Sequence, residues 1–180
     1  MFGIDEDIAG CRVLGQDTSF LDEPSAYADG LSRLSRQRRE KAASFRFAKD
    51  RKESAAAAIM LDRLLAERGL READMSYCES SEGKPSFEGY PDLFFSLAHS
   101  GNAAVAALSP RPVGIDLEYL PDFPYDMAEP RLWTEMEAVG KLLGCGVGCY
   151  VDSGAFAKPD NISTLHIEQE SYLICLATTK

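Results

Sequence analysis

The sequence has no apolar run that could cross a bilayer, since no segment of its 180 residues approaches the roughly 20 consecutive apolar residues that a spanning helix needs. It also lacks the basic start of a secretory signal peptide, because residues 1–7 read Met-Phe-Gly-Ile-Asp-Glu-Asp. These two absences predict a cytoplasmic protein without a membrane partner.

Basic residues are scarce as well. The chain has 19 Lys+Arg against 29 Asp+Glu, which gives a formal net charge of −10 and argues against non-specific binding to nucleic acid. The cations are unevenly spread, because nine of the 19 lie between Arg33 and Lys52. A locally basic segment in an acidic protein indicates a discrete anionic ligand, although a solvated helix face would have the same composition.

The five cysteines lack the paired spacing of a zinc site. Cys145 and Cys149 have three residues between them, and the other cysteines, at positions 11, 78 and 175, form no matching second pair. We therefore expect reduced, mostly buried thiols.

Hydrophobic residues at 45 % and charged residues at 27 % are typical of a soluble globular protein with one domain or two small subdomains. Helical periodicity starts at about Leu31, recurs over Asp50–Arg68 with Gly69 as a stop, and recurs again over Leu132–Leu143. Strands are predicted near residues 10–14, 93–98, 103–108, 112–118, 165–168 and 172–177, with loops at 71–92 and 119–129. The pattern predicts an α/β (α+β) fold in which a central antiparallel meander has helices on one side.

The segment from Pro112 to Gly146 carries the strongest functional signal. Alternation along its strand places the carboxylates of Asp116 and Glu118 on one face. Two adjacent carboxylates repel each other unless a cation neutralises them, and a sheet face open to solvent is the structural alternative.

The helix that follows adds a third carboxylate and a cation. Its predicted apolar stripe is Leu132, Met136, Val139 and Leu143, and Glu137 and Lys141 follow each other one turn apart on a neighbouring face. Three carboxylates and a lysine are what an oxygen-preferring cation beside phosphates needs. Purely structural alternatives are a capping box, Thr134-x-x-Glu137, and an i, i+4 ion pair between Glu137 and Lys141.

Two turns offer candidate phosphate contacts. His99 ends a hydrophobic strand just before Ser100 and Gly101, where backbone N–H groups and an imidazolium could meet a phosphate. The alternative is a half-buried histidine that bonds to a turn carbonyl. The turn Gly83–Pro85 has the same two interpretations, a phosphate contact or a plain surface turn.

Taken in order, these segments resemble a known family. The chain is similar to the 4′-phosphopantetheinyl transferases of the surfactin-synthetase-activating class, in a shortened form. The matching motifs are the basic helices (Arg39–Phe45 with Lys49–Lys52), Gly83–Pro85, Phe95–Gly101, Gly114–Glu118 and Trp133–Lys141. Three positions depart from the family pattern, namely Ser96, Ala98 and Met136. In addition, only 14 residues separate Glu118 from Trp133, where full-length members carry a longer helical insert.

The resemblance implies two similar subdomains, residues 1–111 and 112–180, each with a small antiparallel sheet packed by helices. It implies transfer of 4′-phosphopantetheine from coenzyme A, the co-substrate, to a serine of an acyl or peptidyl carrier protein, with release of 3′,5′-ADP. The implied metal is Mg²⁺, with Mn²⁺ as the alternative. We expect a monomer without a nucleic-acid partner.

The resemblance also implies roles for particular residues. Asp116, Glu118 and Glu137 would hold the metal, and Glu137 and Lys141 would be catalytic. The implied contacts to coenzyme A are Arg38, Lys41, Arg51, Gly83, Lys84, Pro85, His99 and Ser100. Two other interpretations stay open: a homologue that binds coenzyme A or a carrier protein without catalysis, and an enzyme that hydrolyses coenzyme A at the same metal site.

Overall fold

The protein is described by a computed structural model at residues 1–81, 83–124, 129–148 and 156–180. These residues form nine strands and four α-helices. The strands are β1 (Gly3–Ile8), β2 (Cys11–Asp17), β3 (Tyr77–Glu79), β4 (Pro85–Phe87), β5 (Phe94–Ser100), β6 (Ala103–Ser109), β7 (Val113–Tyr119), β8 (Ile162–Gln169) and β9 (Tyr172–Thr179). The helices are α1 (Pro24–Ser32), α2 (Arg36–Ala43), α3 (Ala48–Ala66) and α4 (Pro130–Leu143).

Two antiparallel sheets form the centre of the fold. The first has the strand order β1-β2-β6-β5 and the second has the order β7-β9-β8. Helix α3 packs on one face of the first sheet and α4 packs on one face of the second. The remaining faces of the two sheets share one apolar cluster, which includes Val105 from β6 and Ile115 from β7. This arrangement confirms the predicted mixed α/β class with small antiparallel sheets packed by helices.

The predicted meander is wrong at its third strand. Strand β6 pairs with β2 on one edge and with β5 on the other, so it has no edge left for β7. Strand β7 pairs with β9 instead and starts the second sheet. Serine side chains of β5 connect the two sheets, because Oγ of Ser96 accepts from the N–H of Ile115 at 3.0 Å and Oγ of Ser100 accepts from that of Tyr119 at 3.1 Å.

Several elements differ from the predicted ones. Strand β1 and helix α1 lie in a region where the sequence indicated only one short strand and an acidic loop, and β3 and β4 form a hairpin inside the predicted loop 71–92. The apolar stripe predicted for α4 is also wrong at its ends, since Leu132 and Leu143 are exposed. The residues that α4 buries are Thr134, Ala138, Val139, Gly140 and Leu142.

The thiol prediction is confirmed for three cysteines and wrong for one. Cys11, Cys78 and Cys175 are free, and Cys78 is exposed. Cys145 is disulfide-bonded. Cys149 lies outside the described residues, as do residues 125–128 of the shortened loop.

No helix in the described part of the chain is both long and apolar enough to span a membrane. The division into subdomains of residues 1–111 and 112–180 stays a prediction, because the two sheets share a core.

Candidate active site

A cleft of about 460 Å³ lies between the basic helices and the C-terminal end of α4. Apolar side chains such as Phe45 and Phe95 form part of its wall. The positively charged or protonatable side chains of the wall are Arg38, Lys41, Lys84, His99 and Lys141. An apolar wall with concentrated positive charge suits an anionic ligand that also has an apolar part.

The cleft brings together most of the residues implied for coenzyme A. Those that line it are Arg38, Lys41, Gly83, Lys84, Pro85 and His99. Arg51 and Ser100 are not among the lining residues. Nη1 of Arg51 donates to the carbonyls of Phe45 at 2.9 Å and Arg46 at 2.8 Å, which closes the turn between α2 and α3. A ligand-binding role for Arg51 stays a prediction.

Lys84 connects the N-terminal turn to the second sheet and its helix. Its Nζ donates to the carbonyl of Leu142 at 2.7 Å and to that of Val113 at 3.2 Å. Leu142 lies in the last turn of α4, where a cation satisfies a terminal carbonyl and interacts favourably with the helix dipole. Burial lowers the pKa of Lys84 to about 8. Lys84 is therefore a structural contact that also titrates near neutral pH.

His99 is held by a buried carboxylate that the sequence analysis missed. Its Nδ1 lies 3.1 Å from Oε2 of Glu53, and the N–H of Asn102 donates to Oε1 of Glu53 at 2.8 Å. Burial acts to raise the pKa of Glu53, but the bonds from His99 and Asn102 outweigh it and the pKa is lowered. The carboxylate is therefore charged at neutral pH and holds the imidazole through Nδ1, which leaves the Nε2 side for a ligand.

The sequence did contain a signal for Glu53. It lies four residues before Ala57 and eight before Leu61, so it belongs to the buried face of α3. A carboxylate on such a face needs hydrogen-bond partners when it is buried. Glu53 directly follows the charged segment Arg33–Lys52, so its charge matches the pattern of a solvated helix face.

The strand carboxylates lie next to α4. Asp116 is 5 % exposed, and Nζ of Lys141 donates to its Oδ1 at 2.7 Å. Lys141 thus forms its ion pair with Asp116, across elements, in place of the i, i+4 pair with Glu137. Since Lys141 also lines the cleft, it connects the carboxylates to the ligand pocket.

Glu118 and Glu137 are affected by the same negative charge. Glu118 accepts from Nε1 of Trp133 at 3.0 Å and from Oγ of Ser100 at 3.3 Å. Burial, together with the charge of Asp116, raises the pKa of Glu118 to about 7. The same two causes raise the pKa of Glu137. The three carboxylates therefore form one electrostatically coupled group.

The capping-box alternative for Glu137 is wrong. Helix α4 begins at Pro130 with Glu129 as its N-cap. Thr134 lies inside the helix, where its hydroxyl donates to the carbonyl of Pro130 at 2.9 Å. The side chain of Glu137 is therefore not committed to a cap at Thr134.

Within residues 1–81, 83–124, 129–148 and 156–180, no three acidic, histidine or cysteine side chains are arranged so that they could hold a metal ion. The metal assignment of Asp116, Glu118 and Glu137 stays a prediction. Two observations fit it. Oδ2 of Asp116 is buried without a hydrogen-bond partner, and burial together with the negative charge of Asp116 raises the pKa of both glutamates. Unused carboxylate oxygens with excess negative charge are the ligands that Mg²⁺ or Mn²⁺ prefers.

No protein-family model matches the sequence. Individual relatives do match. A 4′-phosphopantetheinyl transferase of Bacillus subtilis is 26 % identical over 127 residues, which cover 66 % of this chain and 57 % of the relative. The 4′-phosphopantetheinyl transferase Sfp of Bacillus subtilis strain 168 is 24 % identical over 122 residues, which cover 66 % of this chain and 54 % of Sfp. The 4′-phosphopantetheinyl transferase psf-1 of Bacillus pumilus is 26 % identical over 159 residues, which cover 74 % of this chain and 68 % of psf-1.

These similarities confirm the resemblance that the motifs predicted. Over about two thirds of its length the chain is similar to Sfp-type 4′-phosphopantetheinyl transferases. The chain spans about half the length of the Bacillus subtilis relatives that it matches.

Proposed function

We propose that this chain is a 4′-phosphopantetheinyl transferase. It moves the 4′-phosphopantetheine group from coenzyme A to a serine of an acyl or peptidyl carrier protein and releases 3′,5′-ADP. The observation that carries the proposal is the position of Lys141, which lines the cationic cleft and also bonds to Asp116 at 2.7 Å. The side chain of Lys141 therefore connects the candidate phosphate pocket with the cluster of three carboxylates.

The cleft side chains would bind and orient coenzyme A. Arg38, Lys41 and His99 supply donors for phosphate oxygens, and apolar wall residues such as Phe45 can contact the uncharged parts of the molecule. Because these donors come from two elements, α2 and β5, they fix the orientation of the pyrophosphate as well as its position. Positioning and charge stabilisation account for most of the catalysis in phosphoryl transfer.

The carboxylates would hold Mg²⁺, or Mn²⁺, through Asp116, Glu118 and Glu137. When bound, such an ion neutralises charge on the pyrophosphate. In the transfer, the serine oxygen forms a bond to the phosphorus that carries the pantetheine arm, and the bond from that phosphorus to the 3′,5′-ADP oxygen breaks. Glu137 takes the serine proton, a role that suits a carboxylate whose pKa is raised. Lys141 stabilises the negative charge on the phosphates.

A mass-shift assay tests the proposal. Purified protein is incubated with coenzyme A, Mg²⁺ and a panel of apo carrier proteins, and each carrier is weighed by mass spectrometry. We expect at least one carrier to gain the mass of one phosphopantetheine group. If every carrier keeps its mass, the transferase proposal is wrong.

Two further measurements separate the two other interpretations. Calorimetric binding of coenzyme A without any transfer would indicate a binding module. Release of 3′,5′-ADP in the absence of a carrier protein would indicate hydrolysis of coenzyme A.

The low pKa of Lys84 predicts pH-dependent ligand binding. A phosphate ligand favours the charged lysine, and with a pKa of about 8 this charge is lost as the pH rises through 8. At pH 9 only about one tenth of Lys84 carries its proton, so we expect coenzyme A to bind about tenfold more weakly than at pH 7. Calorimetry at both pH values measures the change. Lys84→Met should lose most of this pH dependence, and an equal dependence in Lys84→Met would contradict the assignment.

The ion pair between Lys141 and Asp116 predicts competition with a divalent cation. Lys141→Met removes the positive charge beside the carboxylates, and we expect Mn²⁺ to bind about tenfold more tightly, measured by electron paramagnetic resonance of free Mn²⁺ without coenzyme A. Lys158→Met is the matched control, because Lys158 pairs with Glu135 on the same helix at 2.7 Å. Unchanged or weaker Mn²⁺ binding by Lys141→Met would argue against a metal at Asp116.

A further inference from the structure

A further buried carboxylate, Glu72, has no part in the chemistry described so far. It is 0 % exposed and accepts hydrogen bonds from the N–H of Ser35, from Oγ of Ser35 at 2.8 Å and from the hydroxyl of Tyr77. Burying a carboxylate costs free energy unless donors surround it, and these three donors meet that need.

Glu72 acts on Arg38 through Tyr77. Nε of Arg38 donates to the Tyr77 hydroxyl at 3.2 Å. Because a guanidinium can only donate, the hydroxyl accepts from Arg38 and must give its own proton to Glu72. Burial raises the pKa of Tyr77, so this proton stays on the phenol at neutral pH. The hydrogen bonds therefore run in one direction, from Arg38 to Tyr77 to Glu72.

Two aromatic rings pack against the guanidinium of Arg38. Its central carbon lies 4.7 Å from the ring centroid of Tyr77 and 5.2 Å from that of Phe95, and the two rings meet at 84°. The group thus sits in a corner between two aromatic faces, which favours one orientation.

Glu72 also holds the backbone that carries Arg38. Ser35 is the N-cap of α2, and its Oγ accepts from the N–H of Arg38 at 3.3 Å while it donates to Glu72. A single carboxylate therefore fixes the start of α2 and, through Tyr77, the end of the Arg38 side chain.

Fixed in this way, Arg38 keeps a buried nitrogen whose N–H groups are unused. Its Nη2 is buried and has no hydrogen-bond partner, and Arg38 lines the cationic cleft. A buried donor without an acceptor costs free energy, and a ligand oxygen that accepts from it removes this cost. An arginine in water already donates to water, so it would gain less free energy from the same ligand oxygen. We propose that Glu72 and Tyr77 are positioning residues that hold Arg38 ready to donate through Nη2 to a phosphate oxygen of the bound ligand. This inference rests on the proposed function, with coenzyme A as the ligand.

Tyr77→Phe tests the inference, because it removes both hydrogen bonds and keeps the ring. We expect coenzyme A to bind about fivefold more weakly, as measured by calorimetry. We further expect Arg38→Met to weaken binding, and Tyr77→Phe to have no additional effect on affinity in the Arg38→Met background. A merely structural role of Tyr77 would give the same loss in both backgrounds.

Tyr90→Phe is the matched control, since Tyr90 is 42 % exposed, and its affinity for coenzyme A should equal that of the wild type. If Tyr77→Phe binds coenzyme A as tightly as the wild type, or if its effect persists in Arg38→Met, the positioning role is overturned while the proposed function stands. If the wild type itself does not bind coenzyme A, the proposed function fails and this inference fails with it.

Discussion

Asp116→Asn is expected to lower the rate of phosphopantetheine transfer by about a thousandfold while the protein stays folded. Asparagine has the shape of aspartate but no charge, so it cannot neutralise a cation or balance Lys141. Asp116 is 5 % exposed and its Oδ2 has no hydrogen-bond partner, so this buried oxygen is available to a cation. The rate is measured from the mass of an apo carrier protein over time, and circular dichroism checks the fold.

Asp122→Asn is the matched control, because Asp122 is an exposed acid shortly after the same strand and should leave the rate unchanged. Glu137→Gln is expected to give a loss similar to that of Asp116→Asn, since Glu137 is assigned both to the metal and to the serine proton. Near-normal transfer by both Asp116→Asn and Glu137→Gln would refute the assignment of the carboxylates.

Gly114→Ala should destabilise the protein by about 3 kcal/mol and lower its melting temperature by roughly 10 °C. A Cβ at Gly114 would overlap the carbonyl oxygen of Ala138 and lie 2.6 Å from the backbone nitrogen of Leu142. Both are backbone atoms of α4, so the helix as a whole would have to move away from β7. Thermal unfolding followed by circular dichroism measures the effect.

Gly3→Ala is the control for this substitution, since a Cβ at Gly3, also in a strand, would meet no atom within 4 Å. We expect its melting temperature to stay within a few degrees of the wild type. If Gly114→Ala melts like Gly3→Ala, the close packing of β7 against α4 does not hold. The close packing of β7 against α4 thus explains the glycine at position 114. The same packing keeps the carboxylates of β7 close to Lys141.

The candidate site was predictable wherever neighbouring residues decide the geometry. Alternation along β7 alone places Asp116 and Glu118 on one face, with Ile115 and Leu117 in the shared core on the other. Helical spacing likewise places Lys141 one turn after Glu137. Lys84 and His99, for which the motif resemblance implied contacts to coenzyme A, also line the cleft, and those contacts stay predictions.

Partners that are distant in sequence were not predictable. Lys141 pairs with Asp116, 25 residues away, and His99 is held by Glu53, 46 residues away. A local pattern shows that a side chain is charged or buried, but it does not show which distant group comes within hydrogen-bond distance. Helix α3 and strand β5 must first pack before Glu53 and His99 can meet.

The sequence by itself determined the alternation of the carboxylate strand, the buried stripe of α3 and the order of motifs that links this chain to Sfp-type transferases. Only the tertiary structure decided that β7 pairs with β9, that Lys84 bonds to the end of α4, and that Glu72 holds Arg38 through Tyr77. The physical reason is the same in each case. Periodicity follows from the geometry of a single helix or strand. Strand order and side-chain partners depend instead on which strand edges pair and which apolar faces pack against each other.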